Sequence, residues 1–112
     1  MQSPDYFERL YRIVDGLNAR FPEGDEPFRI VTRLCEEAGE LASAVNHFEG
    51  TGVKMSKHGS PDAGALAKEI QDVLRAALAL ARHYGVEDCL RVSIDDSYRK
   101  LLAEGHITSP DE

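Results

Sequence analysis

Residues 36–41 read Glu-Glu-Ala-Gly-Glu-Leu, and residues 69–72 read Glu-Ile-Gln-Asp. Each stretch holds two carboxylates at positions i and i+3, which lie on the same face of an α-helix. Apolar residues recur around both stretches at helical spacing and fill about half of each helix circumference at about 100° per residue. Glu37 and Glu69 stand at the rim of these apolar arcs. The sequence therefore predicts two amphipathic helices with matching acidic rims.

The opposite arc of the helix that contains Glu69 is polar. It carries four long polar side chains, and we expect this arc to face solvent: Lys68, Gln71, Arg75 and Arg82.

The rest of the chain extends this pattern to four helices without strands. We predict an all-α fold, a single domain over residues 1–112, with helices at 4–20, 27–48, 61–84 and 87–104. Gly85 and Gly105 follow the last two helices, as glycine commonly does at a helix C-terminus. A loop with three glycines is expected over residues 49–60.

The tripeptide Ser-Pro-Asp occurs at residues 3–5, 60–62 and 109–111. A Ser N-cap followed by Pro at the first helical position is typical of a helix start. We therefore expect Ser3 and Ser60 to cap the first and third helices. No apolar repeat follows the third copy, so residues 109–112 are expected to form a frayed tail.

Composition excludes several classes of function. A net charge of −7 on 112 residues argues against binding to nucleic acid polymers, which requires basic surfaces. The longest apolar run, residues 76–81, is far shorter than the roughly 18 residues of a membrane span, so we expect no membrane partner. The first residues lack the apolar core of a secretory signal. Cys35 and Cys89 show no CxxC spacing, and we expect buried thiols in a cytoplasmic protein.

A chain of this size buries only about two-thirds of its unfolded surface. Because the apolar arc of the third helix is also wide, we predict a homo-oligomer, either a dimer or a tetramer.

If both apolar arcs face one core, the acidic rims converge. Their four carboxylates then repel one another unless a cation is bound. Mg²⁺ favours carboxylates, water and phosphate oxygens, so we expect a Mg²⁺ site, with Mn²⁺ as the alternative, formed by Glu37, Glu40, Glu69 and Asp72. A solvated acidic face is the simpler alternative. A di-iron site is disfavoured, because no histidine follows a glutamate by three positions.

At these residues the sequence resembles the MazG-like, all-α nucleoside triphosphate pyrophosphohydrolases, whose mark is ExxE followed by ExxD. The resemblance implies an oligomeric helical bundle that binds a nucleoside triphosphate and cleaves it to a nucleoside monophosphate and pyrophosphate. It also implies Mg²⁺ bound by Glu37, Glu40, Glu69 and Asp72, with Glu37 or Glu36 helping to deprotonate the attacking water.

Many relatives place a basic or amide residue on the last helix to hold phosphate. The corresponding candidates here are Arg99 and Lys100, and Lys54 in the predicted loop is a third; exposed basic side chains are the alternative. Phe48 and Tyr84 fall on the apolar arcs and are expected in the core. Two other functions stay open, namely a phosphoribosyl-ATP pyrophosphatase and a non-catalytic helical dimerisation module. The sequence names neither the base nor the sugar of the substrate.

Overall fold

The computed structural model describes residues 3–50 and 62–109. Over these ranges the chain is all-α and contains no strand, as the sequence predicts. The helices are α1 (Tyr6–Arg20), α2 (Pro27–Phe48), α3 (Ala63–Tyr84) and α4 (Glu87–Ala103), and a short 3₁₀ turn (Pro22–Gly24) connects α1 to α2. Most of the predicted loop at 49–60, the residues Ser60 and Pro61, and most of the predicted tail at 109–112 lie outside the described residues.

The most extensive contact in the fold is between α2 and α3, which run antiparallel. Near one end of the contact Ile30 packs in a cluster with Ala79. At the other end Ala44 and Leu66 line the same small cavity. Ala76 is fully buried and Ala79 is 5% exposed. These small side chains let the two helix backbones approach closely, which brings the acidic residues of both helices together.

Helix α1 packs on α3 across the boundary between the predicted apolar arc and the polar arc. Tyr11 and Val14 are the buried residues of α1, and Tyr11 forms a cluster with Leu78 and Ala81 of α3. The prediction of a solvated polar arc on α3 is therefore wrong over its second half. Packing of α1 leaves only 31% of the Arg82 side chain exposed.

Arg82 joins three helices through its guanidinium group. It donates two hydrogen bonds to the Asp15 carboxylate of α1, at 2.9 and 2.7 Å. A third hydrogen bond of 2.9 Å goes to Glu87, at the start of α4. The guanidinium carbon also lies 4.8 Å from the centre of the Tyr11 ring, within the range of a cation–π contact. These contacts fix where α1 and α4 meet α3.

The N-caps of α1 and α3 are aspartates. The Asp5 carboxylate accepts the backbone N–H of Glu8 at 3.1 Å, and the Asp62 carboxylate accepts that of Gly64 at 2.8 Å. The predicted cap at Ser3 is wrong. A carboxylate caps the free N–H groups as well as a hydroxyl does, and its charge is favourable at a helix N-terminus. Each proline therefore precedes the cap, and the helix begins later than predicted.

Gly85 ends α3, as predicted. Its backbone adopts the left-handed region with φ of 66°. The N–H of Val86 then reaches the carbonyl of Ala81 at 2.9 Å, which is the Schellman arrangement. Gly105 ends α4 with φ of 82°.

Much apolar surface stays uncovered in the single chain. Helix α4 has no buried residue, and its Leu90 packs against the Tyr11 cluster. The radius of gyration is 17.3 Å, whereas a compact domain of 100 residues has about 13 Å. Several predicted core residues are exposed, which corrects the sequence analysis: Cys35, Cys89, Phe48 (42%) and Tyr84 (61%). Packing within the single chain leaves these four side chains at the surface.

Within residues 3–50 and 62–109, every helix is too short or too polar to traverse a lipid bilayer.

We predict that the contribution of Arg82 to stability depends on pH. Its hydrogen bonds lower the pKa of Asp15, and a backbone hydrogen bond together with Arg82 lowers the pKa of Glu87. A carboxyl with a lowered pKa stabilises the fold above its unfolded pKa and loses this effect as the pH falls through its folded pKa. Arg82→Gln should melt several degrees below wild type at pH 7, and the difference should narrow below about pH 4.

Thermal unfolding followed by circular dichroism between pH 2.5 and 7 measures this difference. Lys100→Gln removes a positive charge from an exposed position of α4, away from Asp15 and Glu87, and serves as the control. A gap between Arg82→Gln and wild type that stays constant down to pH 2.5 would contradict the role given to the two carboxylates.

Candidate metal centre

Three carboxylates meet where α2 crosses α3. Glu37 comes from α2, and Glu69 and Asp72 come from α3. One oxygen of each lies within 4.8 Å of an oxygen of the other two, and all three residues are partly buried. On α2, Leu34 and Leu41 lie about one turn to either side of Glu37 and are also partly buried. The helix face that forms the α2–α3 contact therefore carries Glu37 into it.

Positive charge compensates this cluster unevenly. The Lys68 ammonium donates to Asp72 Oδ1 at 2.6 Å, and Arg75 Nη2 lies 3.8 Å from the same oxygen. Lys68 is 60% exposed, so its ion pair is screened by solvent. Among the described residues, no hydrogen bond or ion pair reaches the carboxylates of Glu37 and Glu69. Two of the three negative charges are thus uncompensated in a partly desolvated position.

The spacing of the oxygens fits a bound divalent cation. Ligand oxygens lie about 2.0–2.1 Å from Mg²⁺ and 2.3–2.6 Å from Ca²⁺. Two oxygens on one ion are therefore separated by at most about 4–5 Å. The carboxylate oxygens of the cluster lie within 4.8 Å of one another, so small side-chain movements would bring all three onto one ion. An all-oxygen donor set with net negative charge also suits a hard cation. The arrangement is able to hold a dication together with water or phosphate oxygens.

The other predicted site residues lie outside this trio. Glu40 and Glu36 are on α2 and are both exposed. Arg99 is 74% exposed and its guanidinium lies 3.7 Å from Asp96 on the same helix. Lys100 is exposed as well, and Lys54 falls outside the described residues. Within those residues, no ion pair joins Arg99 or Lys100 to the three carboxylates.

Sequence reasoning missed Arg75 as a neighbour of the acidic cluster. Its side chain is only 14% exposed, although its position on the polar arc predicted a solvated residue. Leu17 and Asn18 of α1 line the same cavity as Arg75, so α1 covers part of that arc. The available signal was the spacing, since Lys68 and Arg75 stand at i−4 and i+3 from Asp72 and side chains at these distances are neighbours.

Comparison with known proteins identifies the family of this chain. The profile of the MazG nucleotide pyrophosphohydrolase domain matches residues 26–103, which contain the acidic cluster and helices α2 to α4. The chain belongs to this family. The uncharacterized protein YpjD of Bacillus subtilis (strain 168) is 32% identical over 90 residues, which cover 80% of this chain and 73% of that protein. No solved structure matches the chain.

The MazG match confirms the family that the ExxE and ExxD stretches indicated. MazG proteins typically use a divalent metal, and this chain brings three acidic side chains together in the matched region. Membership also indicates an enzyme of the pyrophosphohydrolase class that acts on nucleotides.

We predict that the acidic cluster binds Mg²⁺ and that Glu69 contributes to binding. A ligand that binds only the folded state stabilises it by RT ln(1 + [L]/Kd), about 2.7 kcal/mol at a hundredfold excess over Kd. Glu69→Gln keeps the side-chain size but removes one charge. It should lose most of the Mg²⁺-induced rise in melting temperature, and without metal it should unfold no earlier than wild type, since a repulsive charge has gone.

Differential scanning calorimetry with and without Mg²⁺ measures both effects. Glu8→Gln, on the exposed surface of α1, provides the matched control and should respond to Mg²⁺ like wild type. If Mg²⁺ stabilises none of the proteins and Glu69→Gln melts far below wild type, Glu69 is structural and the cluster is not a metal site.

Proposed function

We propose that this protein is a Mg²⁺-dependent nucleoside triphosphate pyrophosphohydrolase that converts a nucleoside triphosphate to the monophosphate and pyrophosphate. The observation that carries the proposal is the trio Glu37, Glu69 and Asp72 inside a MazG-family region, with no ion pair to Glu37 or Glu69 from the described residues. A solvated acidic face does not account for the partial burial of all three side chains.

In this proposal the three carboxylates hold the cation, and Glu40 is the fourth ligand. Glu40 is exposed one turn beyond Glu37, so its side chain would turn toward the cluster or bind through water. A bound Mg²⁺ would neutralise part of the phosphate charge and would lower the pKa of a water molecule bound to it. Mn²⁺, which favours the same oxygen ligands, is the proposed substitute.

The proposed reaction is attack of water on the α-phosphorus. The new bond joins the water oxygen to phosphorus, and the bond to the bridging oxygen between the α- and β-phosphates breaks. Pyrophosphate leaves with that oxygen. In this proposal Glu37, a member of the trio, or the exposed neighbouring Glu36 accepts the proton of the water.

We predict that the enzyme releases nucleoside monophosphate and pyrophosphate in equal amounts, with no orthophosphate. Anion-exchange chromatography of Mg²⁺ reactions, without added pyrophosphatase, separates these products. The screen should include several nucleoside triphosphates and phosphoribosyl-ATP, because the latter identifies the alternative enzyme. Chelation with EDTA provides the control and should abolish release.

Nucleoside diphosphate with orthophosphate would contradict cleavage between the α- and β-phosphates. Absence of turnover on every substrate would favour the non-catalytic dimerisation module. We place the activity in the cytoplasm, where exposed thiols such as Cys35 and Cys89 stay reduced.

We also propose that the active form is a homodimer or homotetramer. Because α2 and α3 run antiparallel, the outward parts of their apolar arcs lie on the same side of the helix pair. Four residues form this apolar face, and each is 44–46% exposed in the single chain: Val31, Val45, Ile70 and Leu74.

We predict that Leu74→Glu weakens assembly, because each copy would bury an unpaired charge in an apolar interface. Ala19→Glu adds the same charge at an exposed position of α1 and should leave the mass unchanged. Light scattering coupled to size-exclusion chromatography reports the mass of each protein. A wild-type monomer at micromolar concentration would contradict the oligomer, and an unchanged mass of Leu74→Glu would exclude this face from the interface.

A further inference from the structure

A cavity of about 260 Å³ lies where the 3₁₀ turn meets α2 and α3. It is lined by residues of α1, the turn and both helices: Leu17, Asn18, Phe21, Gly24, Arg33 and Arg75. Among the described residues that line it, the charged side chains are both arginines and none is a carboxylate. The cavity is therefore a cationic recess with an apolar wall from α1.

The recess lies beside the acidic cluster. Arg33 precedes Glu37 by four residues on α2, and Arg75 follows Asp72 by three on α3. Each arginine is thus about one helical turn, or about 5.4 Å along the axis, from a carboxylate. Arg75 Nη2 is 3.8 Å from Asp72 Oδ1. An elongated ligand with several charged groups along its length would therefore contact both the acidic cluster and the recess.

The two arginines lack strong partners in the part of the chain that the structure describes. No hydrogen bond or ion pair satisfies Arg33 there, although the residue is partly buried. The contact of Arg75 with Asp72 is beyond hydrogen-bond distance, and its side chain is 14% exposed. Two partly desolvated cations around one cavity repel each other, and a bound anion would relieve this cost.

Contacts made by the 3₁₀ turn hold one side of the recess in place. A Cβ atom built on Gly24 would lie only 2.8 Å from Arg33 Nη2, so the guanidinium packs directly on this glycine. The turn is anchored on either side of Gly24. Arg29 Nη1 donates to the Glu23 carbonyl at 3.1 Å, and His83 Nδ1 lies 2.7 Å from Asp25 Oδ1. The turn therefore positions the Arg33 side of the cationic wall.

We propose that Arg33 and Arg75 bind the β- and γ-phosphates of the substrate, the part that leaves as pyrophosphate. This assignment rests on the proposed function. With the α-phosphate at the carboxylates, the next phosphates extend one turn toward α1 and enter the recess. A guanidinium group matches phosphate oxygens through paired hydrogen bonds.

In this proposal the guanidinium groups of Arg33 and Arg75 contact the pyrophosphate leaving group. Breaking the bridging bond leaves negative charge on pyrophosphate, and a preorganised guanidinium stabilises charge that develops there. The recess also explains how the chain holds phosphate when Arg99 and Lys100 are exposed on α4. Ligands with two or more linked phosphates should bind better than orthophosphate, because a single phosphate does not span the cluster and the recess.

The test is isothermal titration calorimetry with inorganic pyrophosphate in the presence of Mg²⁺. Wild type is compared with Arg33→Gln, Arg75→Gln and Arg75→Lys. Each Gln variant should weaken pyrophosphate binding by about 10- to 100-fold, the effect of losing a charge-assisted hydrogen bond. Arg75→Lys keeps the charge without the paired geometry and should fall between wild type and Arg75→Gln. Arg12→Gln, an exposed arginine of α1, should change binding less than about twofold.

Two further measurements separate binding from folding. The melting temperature of each variant reports the fold, and Arg75→Lys keeps the test valid if Arg75→Gln does not fold. The Mg²⁺-induced rise in melting temperature should persist in Arg33→Gln, because this residue binds phosphate and not the cation.

Failure of this inference and failure of the proposed function give different results. Unchanged pyrophosphate binding in Arg33→Gln and Arg75→Lys, with active wild type, overturns the phosphate site and leaves the function standing. An equal loss in Arg12→Gln also overturns it, since the effect is then general charge. If wild type binds pyrophosphate through the two arginines but hydrolyses no nucleotide, the anion site stands and the proposed function fails.

Discussion

The antiparallel contact between α2 and α3 places three like charges together, and much of the structure follows from it. Buried alanines on α3 let the helices approach closely, and Glu37 enters the contact between Leu34 and Leu41. Ionised carboxylates so close to one another oppose folding. Apolar packing on both sides of them offsets this cost. Because the carboxylates stand on helices rather than loops, their spacing is fixed before any ligand arrives.

The same contact determines what stays uncovered. Each apolar arc spans about half a helix, yet one helix pair covers only part of it. Helix α1 covers another side of α3 and is held there by the bonds of Arg82 to Asp15. The rest of the arcs, including Val31 and Leu74, faces outward. The acidic site and the exposed apolar face are thus two consequences of one packing geometry.

These relations explain which features were predictable from the sequence. The bounds of α2, the stop at Gly85 and the convergence of Glu37 with Glu69 and Asp72 follow from local periodicity and capping. The caps at Asp5 and Asp62 were missed because Ser and Asp are similarly good caps in one tripeptide. Arg75 and Cys35 were misplaced for a different reason. Helical periodicity gives the angle of a residue around its helix, but not which neighbour covers that angle.

Two arginines that the sequence analysis did not assign to the site give it its polarity. Along the α2–α3 groove, negative charge at the carboxylates is followed one turn later by positive charge at Arg33 and Arg75. A metal-bound polyphosphate has the complementary order, with a cation at one phosphate and free anionic oxygens beyond it. The loose pair of Asp72 and Arg75, at 3.8 Å, would separate at little cost when Asp72 takes a cation and Arg75 a phosphate. An acidic cluster alone selects a cation, whereas the neighbouring arginines favour a cation that arrives with a phosphate chain.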